Sequence, residues 1–137
     1  IVRSPDRGEG THATGLTEFV DMYPTLCELS EIPVPDHCEG QSLVPLLENP
    51  DRAWKQAAIS QYPRGGNVMG YTLRTDSYRY TEWQDRQSGE VKDRELYDHR
   101  TSHEESANVA KLDSSSGTID ALSEQLASGW ERQAAEV

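Results

Sequence analysis

Between Gly70 and Trp83 the chain reads Gly-Tyr-Thr-Leu-Arg-Thr-Asp-Ser-Tyr-Arg-Tyr-Thr-Glu-Trp, two alternating segments rich in β-branched and aromatic residues that meet at the polar corner Asp76-Ser77. This pattern predicts a β-hairpin. The same alternation extends the sheet, with strands expected at 57–62, 68–75, 78–84 and about 90–97. Along the second strand Met69, Tyr71 and Leu73 fall on one face and Gly70, Thr72 and Arg74 on the other, so one face of the sheet is apolar and needs a cover. Ile119, Leu122, Leu126 and Trp130 recur at three- and four-residue spacing and predict a covering helix near 118–131. Thr118 is its expected N-cap, and Ser114-Ser115-Ser116-Gly117 reads as a flexible connector before it. The expected fold class is α+β, a small antiparallel sheet covered by a C-terminal helix.

Ahead of the sheet the character differs. Ile1-Val2-Arg3-Ser4-Pro5 reads as the end of a buried strand whose beginning lies upstream. Residues 3–15, rich in Gly, Pro and charge, predict a surface loop. Asp21 is the expected N-cap of a helix that carries Pro24 in its first turn, turns Met22, Leu26 and Leu29 inward, and stops before Pro33. Ser42 and Pro45 repeat the device for a short turn through Leu43, Leu46 and Leu47. The change from short helices to strands places the boundary at about 48–54, giving segments 1–50 and 51–137. The apolar fraction is 34%, low even with ten glycines added, against about 45–50% in ordinary domains. A large core private to this chain is not expected.

The opening Ile-Val-Arg-x-Pro, Asp21-Met22-Tyr23-Pro24-Thr25-Leu26, Ser60-Gln61-Tyr62-Pro63-Arg64, the hairpin, Arg94-Glu95-Leu96-Tyr97-Asp98 and Ala107-Asn108-Val109-Ala110 follow one another along the chain. In that order they resemble the C-terminal part of sulfatases, most closely the iduronate-2-sulfatase-like group of the alkaline-phosphatase-like superfamily. The resemblance covers residues 1–110, with the final helix similar in character only. It implies that residues 1–50 end the large α/β domain of a sulfuric ester hydrolase acting on sulfated sugars. Residues 51–137 would then be the smaller subdomain that shapes the substrate entrance.

The family's nucleophile is a formylglycine made from the Cys or Ser of a C/S-x-P-x-R motif, held with the sulfate at a divalent cation, usually calcium. Neither Cys27 nor Cys38 precedes such a motif, and Arg3-Ser4-Pro5-Asp6-Arg7 misses it by one position. No catalytic residue and no metal ligand is therefore assigned here; calcium and formylglycine are implied for the complete enzyme, whose remaining chain is the expected partner. Cys27 is expected to be a buried thiol, and whether it pairs with Cys38 is left open.

The candidate substrate-binding residues are Gln61, Tyr62, Arg64 and Asn67, in a segment that joins a guanidinium suited to carboxylate or sulfate with an aromatic face, an amide and the flexible pair Gly65-Gly66. In the resembling enzymes the matching Tyr-Pro-Arg loop lies toward the active site. The competing reading has Arg64 paired with a neighbouring carboxylate as a structural tie. Arg74 and Arg79 beside Tyr78 and Tyr80 read as cross-strand packing and ion pairs. His99 and His103, spaced i, i+4, form a zinc-like pair on paper, but Arg100, Glu104 and Glu105 beside them predict solvated surface groups. The acidic runs Glu104-Glu105 and Asp93/Glu95 likewise read as solvated charge.

A formal charge of −11 disfavours nucleic acid and anionic membrane surfaces. No segment reaches the roughly 18 consecutive apolar residues of a membrane span. The resemblance leaves periplasmic, extracellular and lysosomal destinations equally open. The alternative to a sulfatase part is a non-catalytic carbohydrate-binding or interaction module built on the same sheet.

Overall fold

The computed structural model describes residues 1–5 and 10–129. It divides into two compact units, Ile1–Lys55 and a second beginning at Gln56. The first unit carries helices α1 (Met22–Leu29) and α2 (Val44–Glu48), the second carries strands β1 (Ala57–Arg64), β2 (Val68–Thr75), β3 (Tyr78–Asp85) and β4 (Val91–Asp98) followed by helix α3 (Ser116–Ala127).

The first unit is knit around one buried ion cluster. Asp21 has no exposure at all, and Lys55 Nζ lies 2.8 Å from its Oδ1 and 2.6 Å from its Oδ2. The same ammonium donates to Glu18 Oε2 at 2.6 Å. Asp21 also accepts the Glu18 and Gln41 backbone N–H groups, at 2.7 and 2.9 Å. Asp21 thus precedes α1 as expected, but its side chain does not cap that helix; it neutralises Lys55 instead. Thr25 Oγ1 continues the knot, donating to the Asp21 carbonyl and accepting the Leu43 N–H. These polar commitments fix which face of α1 points in. Pro24, Thr25 and Cys27 are buried, whereas Met22 and Leu26 are 51% and 59% exposed, a correction to the inward stripe read from apolarity. Cys27 is the buried thiol predicted, and both cysteines are free.

In the second unit the sheet order is β1-β2-β3-β4, every neighbour antiparallel. The β2–β3 corner is the predicted one, with Thr75 Oγ1 accepting the Tyr78 N–H across Asp76-Ser77. At the β1–β2 turn Gly66 and Asn67 both adopt positive φ. Between β3 and β4 the Ser88 and Gln87 N–H groups donate to Asp85 and hold its carboxyl below the usual range. Strand β1 runs on to Arg64, two residues past the expected end. It lies at the sheet edge, paired only with β2, and an edge strand is where a proline such as Pro63 is tolerated.

Ala57, Leu73, Tyr80 and Leu96, one from each strand, share a face with Leu122 of α3 and form the buried core. Ile59, Tyr78, Val109, Ala110, Ile119 and Leu126 pack around it. The covering helix and its apolar stripe are therefore as predicted through Leu126; Trp130 lies outside the described residues. Two local expectations fail. Asp113–Ser115 forms a 3-10 turn leading directly into α3, so the serines are the helix entry, not a flexible connector, and Ser115, not Thr118, holds the N-cap position. Serine suits the start of a helix as well as it suits a linker, and here its backbone N–H bonds the Leu112 carbonyl. Helix α3 ends at Ala127, and Gly129 takes the left-handed conformation just beyond it.

The segment 107–110 finishes the sheet. Val109 N–H bonds the Leu96 carbonyl, and Asn108 Oδ1 accepts the N–H of Leu96 and of Ala110, both at 3.0 Å. An amide side chain stands in for a neighbouring strand and blunts the edge at β4.

Candidate functional site

Period-two alternation sorts the candidate residues onto opposite faces of the sheet. Gln61 shares the helix-covered face with Ile59, Tyr71, Glu82 and Gln84, which line a cavity of about 270 Å³ near the end of α3. Tyr62 and Arg64 point to the other face, Tyr62 with 68% exposure. Asn67 sits in the turn with φ 66°. The segment is strand plus turn rather than a continuous loop, so the structure brings Tyr62 and Arg64 together and separates Gln61 from them.

On that open face Tyr62 lies opposite Gly70, and Gly70 opposite Trp83. Gly70 makes the gap that the indole fills, since a Cβ there would stand 2.6 Å from Trp83 Cζ3. The indole Nε1 donates to Glu95 Oε1 at 2.9 Å, which pins the ring from the β4 side. The Arg64 guanidinium carbon sits 4.3 Å from the ring centroid, within cation–π range. Among the described residues Arg64 pairs with no carboxylate, and its partner is the Trp83 ring. Sequence reasoning missed Trp83, Gly70 and Glu95 as parts of this site. The signal was present: counting outward from Asp76-Ser77 pairs Gly70 with Trp83.

A second polar cluster lies on the loop after β4. His99 is buried, contrary to the solvated role expected, with Nε2 2.6 Å from Glu105 Oε1. Glu105 also holds Arg79 Nη2 at 2.5 Å, and Arg79 stacks on Tyr97 with its guanidinium carbon 4.7 Å from the ring centroid. The Arg79 reading as an ion pair with strand packing is met. His103 remains exposed, its ring 5.6 Å from that of His99. The reversal that delivers the carboxylate places Glu105 at φ 52°, a left-handed conformation no local pattern announces.

Beneath α3, Glu82 is buried and accepts Tyr80 OH, Ser123 Oγ and Gln84 Nε2 at 2.7, 2.6 and 2.6 Å. Burial alone would raise its pKa, but the Ser123, Tyr80 and Gln84 hydrogen bonds and the Arg94 charge outweigh it and hold the carboxyl below its ordinary range. Glu105 behaves alike, burial being outweighed by Arg79 and His99. Burial, with Glu82 beside it, pushes Tyr80 up to about 12. Because both glutamates are depressed on folding, their stabilisation is complete above the ordinary carboxyl pKa of 4.5 and drains away as pH falls through their folded values. Melting curves between pH 7 and pH 3 should show Tm falling below about pH 4.5, with a shallower fall in the Glu82→Gln, Glu105→Gln double variant. A flat or rising Tm would contradict this assignment.

Among the described residues no three His, Cys, Asp or Glu side chains converge to hold a metal ion. These described residues therefore offer no calcium donor set.

A family model for N-sulphoglucosamine sulphohydrolase, C-terminal, matches residues 1–132. The chain belongs to this family. Mouse iduronate 2-sulfatase is 35% identical over 109 residues, covering 54% of this chain and 20% of the relative. Chicken arylsulfatase K is 31% identical over 118 residues, covering 80% and 22%. The N-acetylglucosamine-6-O-sulfatase of Bacteroides thetaiotaomicron is 26% identical, covering 80% and 20%. The solved structure of BT4656 in complex with its substrate D-glucosamine-2-N,6-O-disulfate shares the fold with a TM-score of 0.68 at 22% identity, over 82% of this chain and 24% of that one. The chain spans about a fifth of the length of the curated relatives it matches.

Proposed function

We propose that the chain is the C-terminal part of a sulfuric ester hydrolase acting on sulfated sugars, and that its open sheet face borders the substrate entrance. Tyr62 and Arg64 are the residues of that face that meet the sugar. Asn67 lies at the adjoining turn, and Gln61 contributes from the opposite side, through the cavity beneath α3. Calcium and formylglycine belong to the remainder of the enzyme, which is the chain's partner and supplies the nucleophile. Residues 1–50 are assigned to the large α/β domain and 51–137 to the smaller subdomain.

Family membership across residues 1–132 supports the activity. The observation that carries the site is Arg64: a guanidinium seated on Trp83, uncommitted to any carboxylate among the described residues and free to take an anionic group. The exposed Phe19, Met22, Tyr23 and Leu26 support an incomplete first unit that needs further chain over it.

Arg64→Ala in the full-length protein tests the site. For a sulfated uronic acid, kcat/KM should fall by about 10- to 150-fold, the value of a charge-assisted contact of about 1.5–3 kcal/mol, because a second anionic group loses its partner. For 4-nitrophenyl sulfate, which offers no such group, it should change little. Equal losses on both substrates with a depressed Tm would show Arg64 to be structural.

A further inference from the structure

We propose that Trp83 is a positioning residue for substrate binding, its indole laid across the sheet to hold the Arg64 guanidinium toward the anionic group of the sugar. The inference rests on the reading of Arg64 above and deepens it. A lone arginine on an exposed edge strand has several rotatable bonds, and ordering it on binding costs entropy. Stacking on a fixed ring before the sugar arrives lowers that cost. Every part of the fixture is present in one sheet. Trp83 stands on β3, its six-membered ring lies over Gly70 of β2, and the guanidinium from β1 rests 4.3 Å from the ring centroid. Glu95 on β4 takes the indole N–H and prevents the ring from swinging back. The fixture orients an existing cation and adds no charge of its own, so it acts on binding and not on the chemical step.

The test uses the full-length protein with a sulfated uronic acid and with 4-nitrophenyl sulfate. Trp83→Leu should raise KM for the uronic acid sulfate by about 3- to 30-fold, the span of cation–π strengths, with KM for 4-nitrophenyl sulfate and both kcat values within twofold. Trp83→Phe, which keeps an aromatic face but loses the Glu95 bond, should recover most of the loss. Gly70→Ala should act like Trp83→Leu, because its methyl displaces the ring, and it serves if the leucine variant does not fold. In an Arg64→Ala background, Trp83→Leu should add less than twofold, since the two act as one unit. The proposal is overturned if Trp83→Leu raises both KM values alike, if phenylalanine fails to rescue, or if the effect persists in full without Arg64. Should Arg64→Ala alone leave the ratio between substrates unchanged, the reading of Arg64 fails and Trp83 loses its role with it. Selectivity lost in Arg64→Ala but kept in Trp83→Leu overturns the positioning role only.

Discussion

Replacing Lys55 by methionine is expected to destabilise the first unit by about 3–5 kcal/mol, the cost of removing one member of a buried ion pair. Methionine keeps the stem packed, so the loss reports the ammonium. Without it, the fully buried Asp21 carboxylate loses the ammonium that bonds both of its oxygens. Asp21→Ala should cost less, because Lys55 would retain Glu18 at 2.6 Å, although the Glu18 and Gln41 N–H groups would each lose an acceptor. Hydrogen exchange at the Gln41 amide together with urea unfolding measures both. A Lys55→Met variant that keeps Gln41 protected and loses less than about 1 kcal/mol would show that the cluster is not what holds the unit together.

The second large effect is in the sheet. Leu122 is 7% exposed and packs on Ala57, Leu73, Tyr80 and Leu96, so Leu122→Ala should cost about 2–5 kcal/mol through lost burial and the cavity left behind. Leu126 is only partly buried against the same core and should cost distinctly less. Denaturant midpoints of the two variants give the comparison. A larger loss at Leu126 than at Leu122 would mean that the helix sits in a different rotation over the sheet.

The second unit was legible in the sequence because its information is local. Alternation and a polar corner determine the hairpin, the corner determines which residues face each other, and the stripe through Ile119, Leu122 and Leu126 determines the covering helix. What escaped depends on partners distant along the chain. Nothing near Asp21 announces Lys55, 34 residues away, so the residue looked like a helix cap and the apolar Met22 and Leu26 looked like core. His99 sits among charges that suggest solvent, yet Arg79 from β3 and a left-handed turn at Glu105 close over it. The candidate site was half legible. Tyr62 and Arg64 stand out for their chemistry, while Gln61 was joined to them as the amide of the same segment. Once β1 continues through Pro63 as an edge strand, alternation sends Gln61 to the opposite face. Trp83 was overlooked as a hairpin residue, although the glycine facing it across the ladder marks a place where a large ring lies flat.

The most direct measurement of the central claim is release of inorganic sulfate from sulfated monosaccharides, with the full-length protein and the isolated 1–137 chain assayed in parallel. The account predicts turnover by the full-length protein on at least one sulfated sugar and none by the isolated chain, which has neither the nucleophile motif in its sequence nor a metal-binding cluster among its described residues. A folded full-length protein that binds such sugars without releasing sulfate would instead favour the non-catalytic carbohydrate-binding module, and sulfate release by the purified isolated chain would contradict the account outright.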